Sequence, residues 1–217
     1  STLDNQSTGQ AFITVDDSGE NSIMIFSGAN NSFTPEQVKK SSETIIKSDF
    51  LISQFESAMD STVAAFNIAR DNQVKTILNP APAISEMPKD LLSVTDMIIP
   101  NETETEILTG IKVTDEASLK EAAKALHELG IEAVIITIGS KGAFYDVNGK
   151  SGIIPAFKVK AVDTTAAGDT FIGALSSVLK PDFSNIEEAI TYGNKASSLT
   201  VQRFGAQPSI PYKNELV

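Results

Sequence analysis

The chain has 217 residues, a net charge of −11, a sequence pI near 4.5 and no cysteine. The charge argues against a general nucleic-acid binder, which needs a basic surface for phosphates, and the missing cysteines exclude disulfides and thiolate metal sites. The sequence shows neither an apolar run long enough to cross a membrane nor the opening pattern of a signal peptide, so we expect a cytoplasmic protein without a membrane partner.

The first elements form a hairpin pattern. Two β-rich segments, 10–15 and 21–26, flank the sequence DDSGE, which predicts two antiparallel strands joined by a turn. After a loop at 27–32, Pro35 is typical of the first turn of a helix. We expect that helix to continue through the sequence EQVKKSSETIIKS.

Strands and helices then alternate along the chain. Short apolar segments predict strands at 50–53, 74–78, 97–99, 133–138 and 158–162. Apolar residues spaced three or four apart predict helices at 58–72, 102–108, 116–129, 170–179 and 186–201. Asn148-Gly149 predicts the turn of a second hairpin. The pattern indicates an α/β fold with a mainly parallel sheet, helices on both faces and a small extra β-sheet at the start.

The loop at 163–169, DTTAAGD, leads into a predicted helix. Parallel sheets bind ligands at the carboxyl ends of their strands, and this loop follows such an end. The small residues Ala166, Ala167 and Gly168 let backbone amides approach a ligand, and the helix N-terminus attracts an anion. Asp169 is either a capping charge or a base that accepts a proton from a hydroxyl attacking a phosphoryl group.

Residues 163–171, DTTAAGDTF, resemble the signature loop of the ribokinase-like sugar kinase family. The usual loop has glycine at the place of Ala166, and alanine is common there in members that phosphorylate ribose. The resemblance implies a Rossmann-type three-layer fold, with Asp169 as the catalytic base that also contacts the sugar. It implies that Ala166, Ala167 and Gly168 form an anion hole for the transferred phosphoryl group.

The resemblance implies an enzyme that phosphorylates D-ribose to D-ribose 5-phosphate with ATP. Two alternatives stay open at this point. One is a related sugar or nucleoside kinase of the fructokinase type, and the other is a non-catalytic fragment that binds a nucleotide or a sugar.

Further segments resemble the nucleotide site of this family. Asn101 to Glu104 is by itself an ordinary capping box, and the resemblance implies that Asn101 contacts phosphate and Glu104 holds magnesium through water. The turn after the strand at 133–138 is by itself a simple turn and does not have Walker A spacing. The nucleotide-binding residues implied by the resemblance are Asn101, Thr137, Gly139, Ser140, Lys141, Gly142, Gly168 and Asn194.

The segment 200–209 is by itself a surface loop. Together with the signature loop it resembles the family's site for a monovalent cation, usually potassium. The implied ligands are the side chains of Asp163 and Ser209 and the carbonyl oxygens of Thr165, Thr200, Arg203 and Gly205. The single histidine, His127, is interpreted as a surface residue, and zinc sites built on several histidines are excluded.

The first half of the chain resembles the sugar-binding part of the family. Glu56 falls where the family hydrogen-bonds the sugar, and residues 79–83 resemble an active-site loop of ribose-phosphorylating members. Residues 1–32 resemble part of a β-sheet lid that also forms a dimer interface, and residues 33–217 resemble the α/β kinase domain. The expected partners are ATP, a small sugar and a second copy of the chain.

Some parts of the family pattern have no counterpart in this sequence. They are the first strand, the aspartate that grips sugar hydroxyls and a Gly-Gly-Lys-Gly-Ala-Asn loop. We therefore expect a fragment whose activity by itself is an open question.

Overall fold

The computed structural model describes residues 3–15 and 21–216. Two compact units divide the chain, the first ending at Met97 and the second beginning at Ile98. The predicted division into a lid at 1–32 and a kinase domain at 33–217 is one of function and stays a prediction. Across the part of the chain that the structure describes, no helix is long and apolar enough to cross a membrane.

The first unit opens with a two-stranded antiparallel sheet. Strand β1 spans Gln10–Val15 and β2 spans Asn21–Phe26, with Phe12 opposite Met24 in the register. The predicted hairpin pairing is confirmed, and its turn at 16–20 lies outside the described residues. Phe12 and Met24 are 60% and 73% exposed, so this sheet presents apolar surface to solvent.

The helix predicted after Pro35 is split in two. Helix α1 spans Pro35–Lys40 and α2 spans Ser42–Ile46. Thr34 caps α1 through a capping box with Gln37. The break falls where two serines follow each other, and the Ser42 hydroxyl donates to the Lys39 carbonyl at 2.6 Å. Serine hydroxyls compete in this way with the regular backbone bonds of a helix.

The rest of the first unit alternates strands and helices. It contains β3 at Phe50–Ser53, α3 at Met59–Asp71, β4 at Lys75–Leu78 and α4 at Lys89–Leu92. Strands β3 and β4 are parallel. The four-residue α4 was not predicted, because one turn is too short to show a helical period.

A six-stranded sheet has the order β3-β4-β5-β6-β7-β8. Its later strands are β5 at Met97–Ile98, β6 at Ala133–Thr137, β7 at Ala143–Val147 and β8 at Lys150–Ile154. Strand β7 is antiparallel to β6 and β8. Asn148 and Gly149 both have positive φ, 54° and 74°, as a type I′ hairpin turn requires. The predicted α/β fold with a small extra sheet is confirmed.

The second unit contains four α-helices among its described residues. They are α5 at Glu102–Thr109, α6 at Glu116–Glu128, α7 at Ala167–Val178 and α8 at Ile186–Thr200. His127, at the end of α6, is only partly exposed. Its Nδ1 lies 2.8 Å from the Ile131 carbonyl oxygen, and its Nε2 lies 3.6 Å from an Asp146 carboxylate oxygen.

The strand predicted at 158–162 is wrong. Residues 155–162 contain neither helix nor strand, and Val159 and Val162 are 40% and 47% exposed. A strand needs a neighbour that accepts its amides. Here the Val162 amide instead donates to the Val201 carbonyl at the end of α8, at 2.7 Å.

Candidate active site

The signature loop, residues 163–169, runs into the first turn of α7. Ala166 caps that helix in the left-handed conformation, with φ at 60°, and its carbonyl accepts the Thr170 amide at 2.9 Å. Amides in the first turn of a helix have no acceptor within the helix, so the Gly168 amide faces outward from the N-terminus. A methyl group added at Gly168 would meet no atom within 4 Å, so a ligand can approach this backbone closely.

The three predicted anion-hole residues are not equivalent. The Ala167 amide already donates to the Thr164 carbonyl at 3.2 Å. The Ala167 amide can contact an anion only if its hydrogen bond to the Thr164 carbonyl breaks or becomes bifurcated. The positive end of α7 and the Gly168 amide are therefore the strongest anion-attracting elements of the signature loop.

Asp169 occupies the same helix end as the Gly168 amide. It is the acidic residue of the first turn of α7, and its side chain belongs to an exposed residue. A carboxylate at this place is reachable by a bound hydroxyl and lies next to an anion-attracting turn. That combination is what a base for phosphoryl transfer needs.

Helix α8 holds the first turn of α7 in place. The Ser197 hydroxyl donates to the Ala167 carbonyl at 2.7 Å, and the buried hydroxyl of Thr200 donates to that of Thr170 at 3.0 Å. A Cβ at Gly193 would lie 2.8 Å from the Phe171 ring. Gly193 and Ser197 were not among the residues predicted from the sequence. Their spacing of four places two small residues on one helix face, and this could have indicated the close contact.

Asp163 joins the signature loop to the segment that follows α8. Its carboxylate accepts the amides of Thr165 and Gly205, both at 2.9 Å. These two bonds, Thr165 first, hold the pKa of Asp163 below its ordinary value. The Val201 carbonyl accepts the amides of Val162 and Asp163. The structure thus brings together the two segments that the predicted cation site requires.

The segment 200–209 supplies oxygen donors to this region. The Arg203 amide donates to the Thr200 carbonyl at 3.0 Å, and the buried Ser209 hydroxyl donates to the Ala206 carbonyl at 2.6 Å. One carboxylate, one hydroxyl and several carbonyls suit a hard cation. No group of three or more His, Asp or Glu side chains that could hold a metal occurs within 3–15 and 21–216.

The predicted residues of the nucleotide site meet at the ends of β5 and β6. Asn101 forms a parallel bridge with Thr137, whose amide donates to the Pro100 carbonyl at 2.9 Å. Asn101 and Glu104 form the predicted capping box, with both bonds at 2.8 Å. Burial raises the pKa of Glu104, and the hydrogen bond from the Asn101 amide partly opposes that rise.

The turn after β6 packs against the end of β8 and the residues that follow it. Gly139 and Gly142 have φ of 54° and 111°, while Ser140 and Lys141 are exposed. The Gly142 Cα lies so close to this stretch of chain that a Cβ would be 2.0 Å from the Ile154 carbonyl oxygen.

The buried Asn194 contacts the same stretch of chain. Its side-chain amide donates to the carbonyls of Ile154 and Pro155 at 3.1 and 3.2 Å. The predicted nucleotide residues Gly142 and Asn194 therefore converge on residues 154–156. The donating amide of Asn194 is already occupied, which leaves its carbonyl oxygen as the atom for a ligand.

Glu56, the predicted sugar contact, lies in the first unit. It is exposed and follows β3. The Phe55 amide donates to the Ala81 carbonyl at 2.9 Å, and the Gln54 side chain donates to that of Asn79 at 3.3 Å. These bonds join the loop after β3 to the predicted sugar loop at 79–83. Gln54 was not among the residues predicted from the sequence.

A family model described as pfkB family carbohydrate kinase matches residues 2–213. The chain belongs to the pfkB family of carbohydrate kinases. A ribokinase from Staphylococcus aureus is 50% identical over 96% of this chain and 68% of its own length. A ribokinase from Haemophilus influenzae is 47% identical, over 99% of this chain and 69% of its own length.

The solved structure of Arabidopsis thaliana ribokinase, complexed with ribose and ATP, superposes with a TM-score of 0.88 at 29% identity. It is matched over 99% of this chain and 72% of its own. This pfkB-family chain thus spans about two thirds of the length of these relatives. Apart from Glu56, its predicted site residues all lie in the second unit.

Proposed function

We propose that this chain carries the nucleotide and phosphoryl-transfer site of an enzyme that transfers the γ-phosphoryl group of ATP to the 5-hydroxyl of D-ribose. The observation that carries the proposal is Asp169 beside the Gly168 amide at the N-terminus of α7. The ribokinases among its relatives and the ribose and ATP of the Arabidopsis complex support this choice of substrates.

Asp169 accepts the proton of the sugar hydroxyl as its oxygen attacks the γ-phosphorus. The new oxygen–phosphorus bond forms, the bond to the β-phosphate oxygen breaks, and ADP leaves. Negative charge on the transferring group meets the Gly168 amide and the positive end of α7. Ser197 and Thr200 keep that turn fixed, so little reorganisation is needed during the reaction.

The nucleotide is placed by the residues at the ends of β5 and β6. Asn101 contacts phosphate, and the Thr137–Gly142 segment lies along the nucleotide with Lys141 as a nearby positive charge. Asn194 contacts the adenine or ribose end through its free carbonyl oxygen. At Gly139 an added Cβ would meet no atom within 4 Å, so the backbone there is open to direct contact with the nucleotide.

Two cations would complete the site, and the donor set fits both. Magnesium would neutralise negative charge on the phosphates, and Glu104 would hold it through water. Asp163, Ser209 and the carbonyls of Thr165, Thr200, Arg203 and Gly205 would hold potassium. The low pKa of Asp163 keeps its carboxylate charged for that role.

The test is an ADP-release assay with Mg-ATP, potassium and a panel of ribose, 2-deoxyribose, fructose and adenosine. We expect selective turnover with ribose and a loss of about 10²- to 10⁴-fold in Asp169→Asn. ATP binding, measured by calorimetry, should stay unchanged in that variant. Preference for another panel member would change the substrate, and turnover retained by Asp169→Asn would remove Asp169 as the base.

A matched control separates chemistry from helix capping. Asp60 is the acidic residue in the first turn of α3, so Asp60→Asn removes a comparable helix-end charge. This variant should keep its turnover. A similar loss in both variants would mean that the carboxylates act through folding.

We further propose that the protein forms a homodimer through the β1–β2 hairpin. We also propose that it acts in the cytoplasm, where ATP is available. Phe12 and Met24 are opposite each other and exposed, and a second copy would cover them. Light scattering should give a dimer mass that falls to a monomer in Phe12→Ser with Met24→Ser. Ile107→Ser, on the exposed side of α5, is the control. A monomeric wild-type chain would contradict the dimer, and cell fractionation checks the location.

A further inference from the structure

The last residues that the structure describes form a strap, 212–216, within the second unit. Two side chains, those of Lys195 and Arg203, hydrogen-bond to it, and the Leu216 side chain is buried. The Lys195 ammonium group donates to the Leu216 carbonyl at 2.7 Å. The Arg203 guanidinium group donates to a carboxylate oxygen of Glu215. The other carboxylate oxygen of Glu215 accepts the Tyr212 amide at 2.8 Å, so both oxygens are used.

Arg203 lies in the exposed turn between α8 and the strap. Its amide donates to the Thr200 carbonyl, and two residues later the Gly205 amide donates to Asp163. Phe204, between them, is 76% exposed, so apolar burial does not hold this turn. Polar contacts fix it at Thr200, at Asp163 and, through Arg203, at Glu215.

Asp163 connects the turn at 203–205 to the signature loop. One of its carboxylate oxygens accepts the Gly205 amide and the other accepts the Thr165 amide. A continuous path of hydrogen bonds and neighbouring backbone thus joins the strap to the signature loop. It runs through Glu215, Arg203, Gly205, Asp163 and Thr165. A change at Glu215 can therefore reach the loop that carries Asp169.

We propose that Arg203 and Glu215 are positioning residues, whose ion pair holds the 203–205 turn so that Asp163 keeps the signature loop in the shape needed for phosphoryl transfer. The effect of this ion pair on the reaction rests on the proposed function, whereas its effect on the loop does not. Exposed ion pairs contribute little to global stability. Losing this pair should therefore change local order and leave the unfolding midpoint nearly constant.

Amide hydrogen exchange measured by NMR tests the structural half of the proposal without any activity. In Glu215→Gln, the amides of Thr165 and Gly205 should exchange on the order of tenfold faster. Lys195→Met is the matched control, because it removes the other side-chain hydrogen bond to the strap. The Leu216 side chain stays buried in this variant, and exchange at Thr165 should be unchanged. Unchanged exchange at Thr165 in Glu215→Gln, or an equal rise in Lys195→Met, would overturn the proposal.

Kinetics test the functional half. In the ADP-release assay, Glu215→Gln should raise the half-saturating potassium concentration on the order of tenfold and leave the KM for ribose unchanged. Arg203→Lys keeps the positive charge but loses the planar guanidinium group. Its half-saturating potassium concentration should lie between those of wild type and Arg203→Gln. Equal changes in potassium requirement and ribose KM would indicate general loosening and overturn the positioning role. Absent turnover in the wild-type chain would count against the proposed function only, and hydrogen exchange would still decide the positioning role.

Discussion

Gly142→Ala tests how tightly the turn after β6 is held against the end of β8 and the residues that follow it. Gly142 has φ of 111° and ψ of −131°, a backbone conformation that is essentially restricted to glycine. An added Cβ would lie 2.0 Å from the Ile154 carbonyl oxygen and 2.7 Å from the Ala156 amide nitrogen. The substitution therefore carries both backbone strain and a clash with backbone atoms.

The size of the effect follows from these two terms. Holding a non-glycine residue at such a φ costs about 1–3 kcal/mol, and overpacking against backbone costs about 1–3 kcal/mol more. To restore an ordinary contact of 3.4 Å, the carbonyl oxygen must retreat by roughly 1.4 Å. For a chain of this size, a total near 4 kcal/mol lowers the melting midpoint by on the order of 10 °C.

The assay combines thermal unfolding with ATP binding. The retreating segment is the one that accepts the Asn194 side-chain amide, so ATP affinity should fall together with stability. Gly139→Ala is the control, because Gly139 lies in the same turn with φ of 54° but has no atom within 4 Å of an added Cβ. It should lose only about 1–2 kcal/mol. If both variants unfold at the same temperature, the steric reasoning is wrong.

Two further predictions concern titratable groups. Glu104→Gln keeps an oxygen acceptor for the Asn101 amide, so stability should hold while the half-saturating magnesium concentration rises on the order of tenfold. Burial raises the pKa of Glu104, so wild-type activity should fall on acidification at a higher pH than an ordinary glutamate gives. Unchanged magnesium titrations across that pH range would refute its role. The Tyr145 hydroxyl donates to Glu187, and this bond, with burial, raises the pKa of Tyr145 from 10.0 to about 12. The stabilisation is complete below the unfolded pKa of 10.0 and is lost as pH rises through about 12. Absorbance titration of the wild-type protein should therefore show one tyrosine that ionises with a pKa of about 12. This step should be missing in Tyr145→Phe, and its presence there would contradict the assignment.

The sequence predicted well wherever a few neighbouring residues decide the conformation. The capping box of Asn101 and Glu104 and the Asn148-Gly149 turn are satisfied by atoms within three residues of each other. Long amphipathic helices such as α6 were located to within a residue or two of their ends. These elements can be predicted from the sequence because their hydrogen bonds and their apolar periodicity lie within one segment.

Some predictions failed because the outcome depends on distant partners, and others because the local signal was weak or misleading. Residues 158–162 have strand-like composition, but no ladder forms and Val162 bonds to the end of α8. The pair of serines after Lys40 broke a helix that the apolar spacing alone would continue. The short α4 had too few residues to give a periodic signal.

By itself, the sequence determined the α/β alternation, the small residues of the signature loop and the presence of a carboxylate, Asp169, at the start of a helix. Only the tertiary structure decided which hydrogen bonds hold that loop. Asp163 meets Gly205 across 42 positions, and Thr200 meets Thr170 across 30. Such contacts leave no local pattern, because each partner is an ordinary polar group until the packing of α7 and α8 brings the two together.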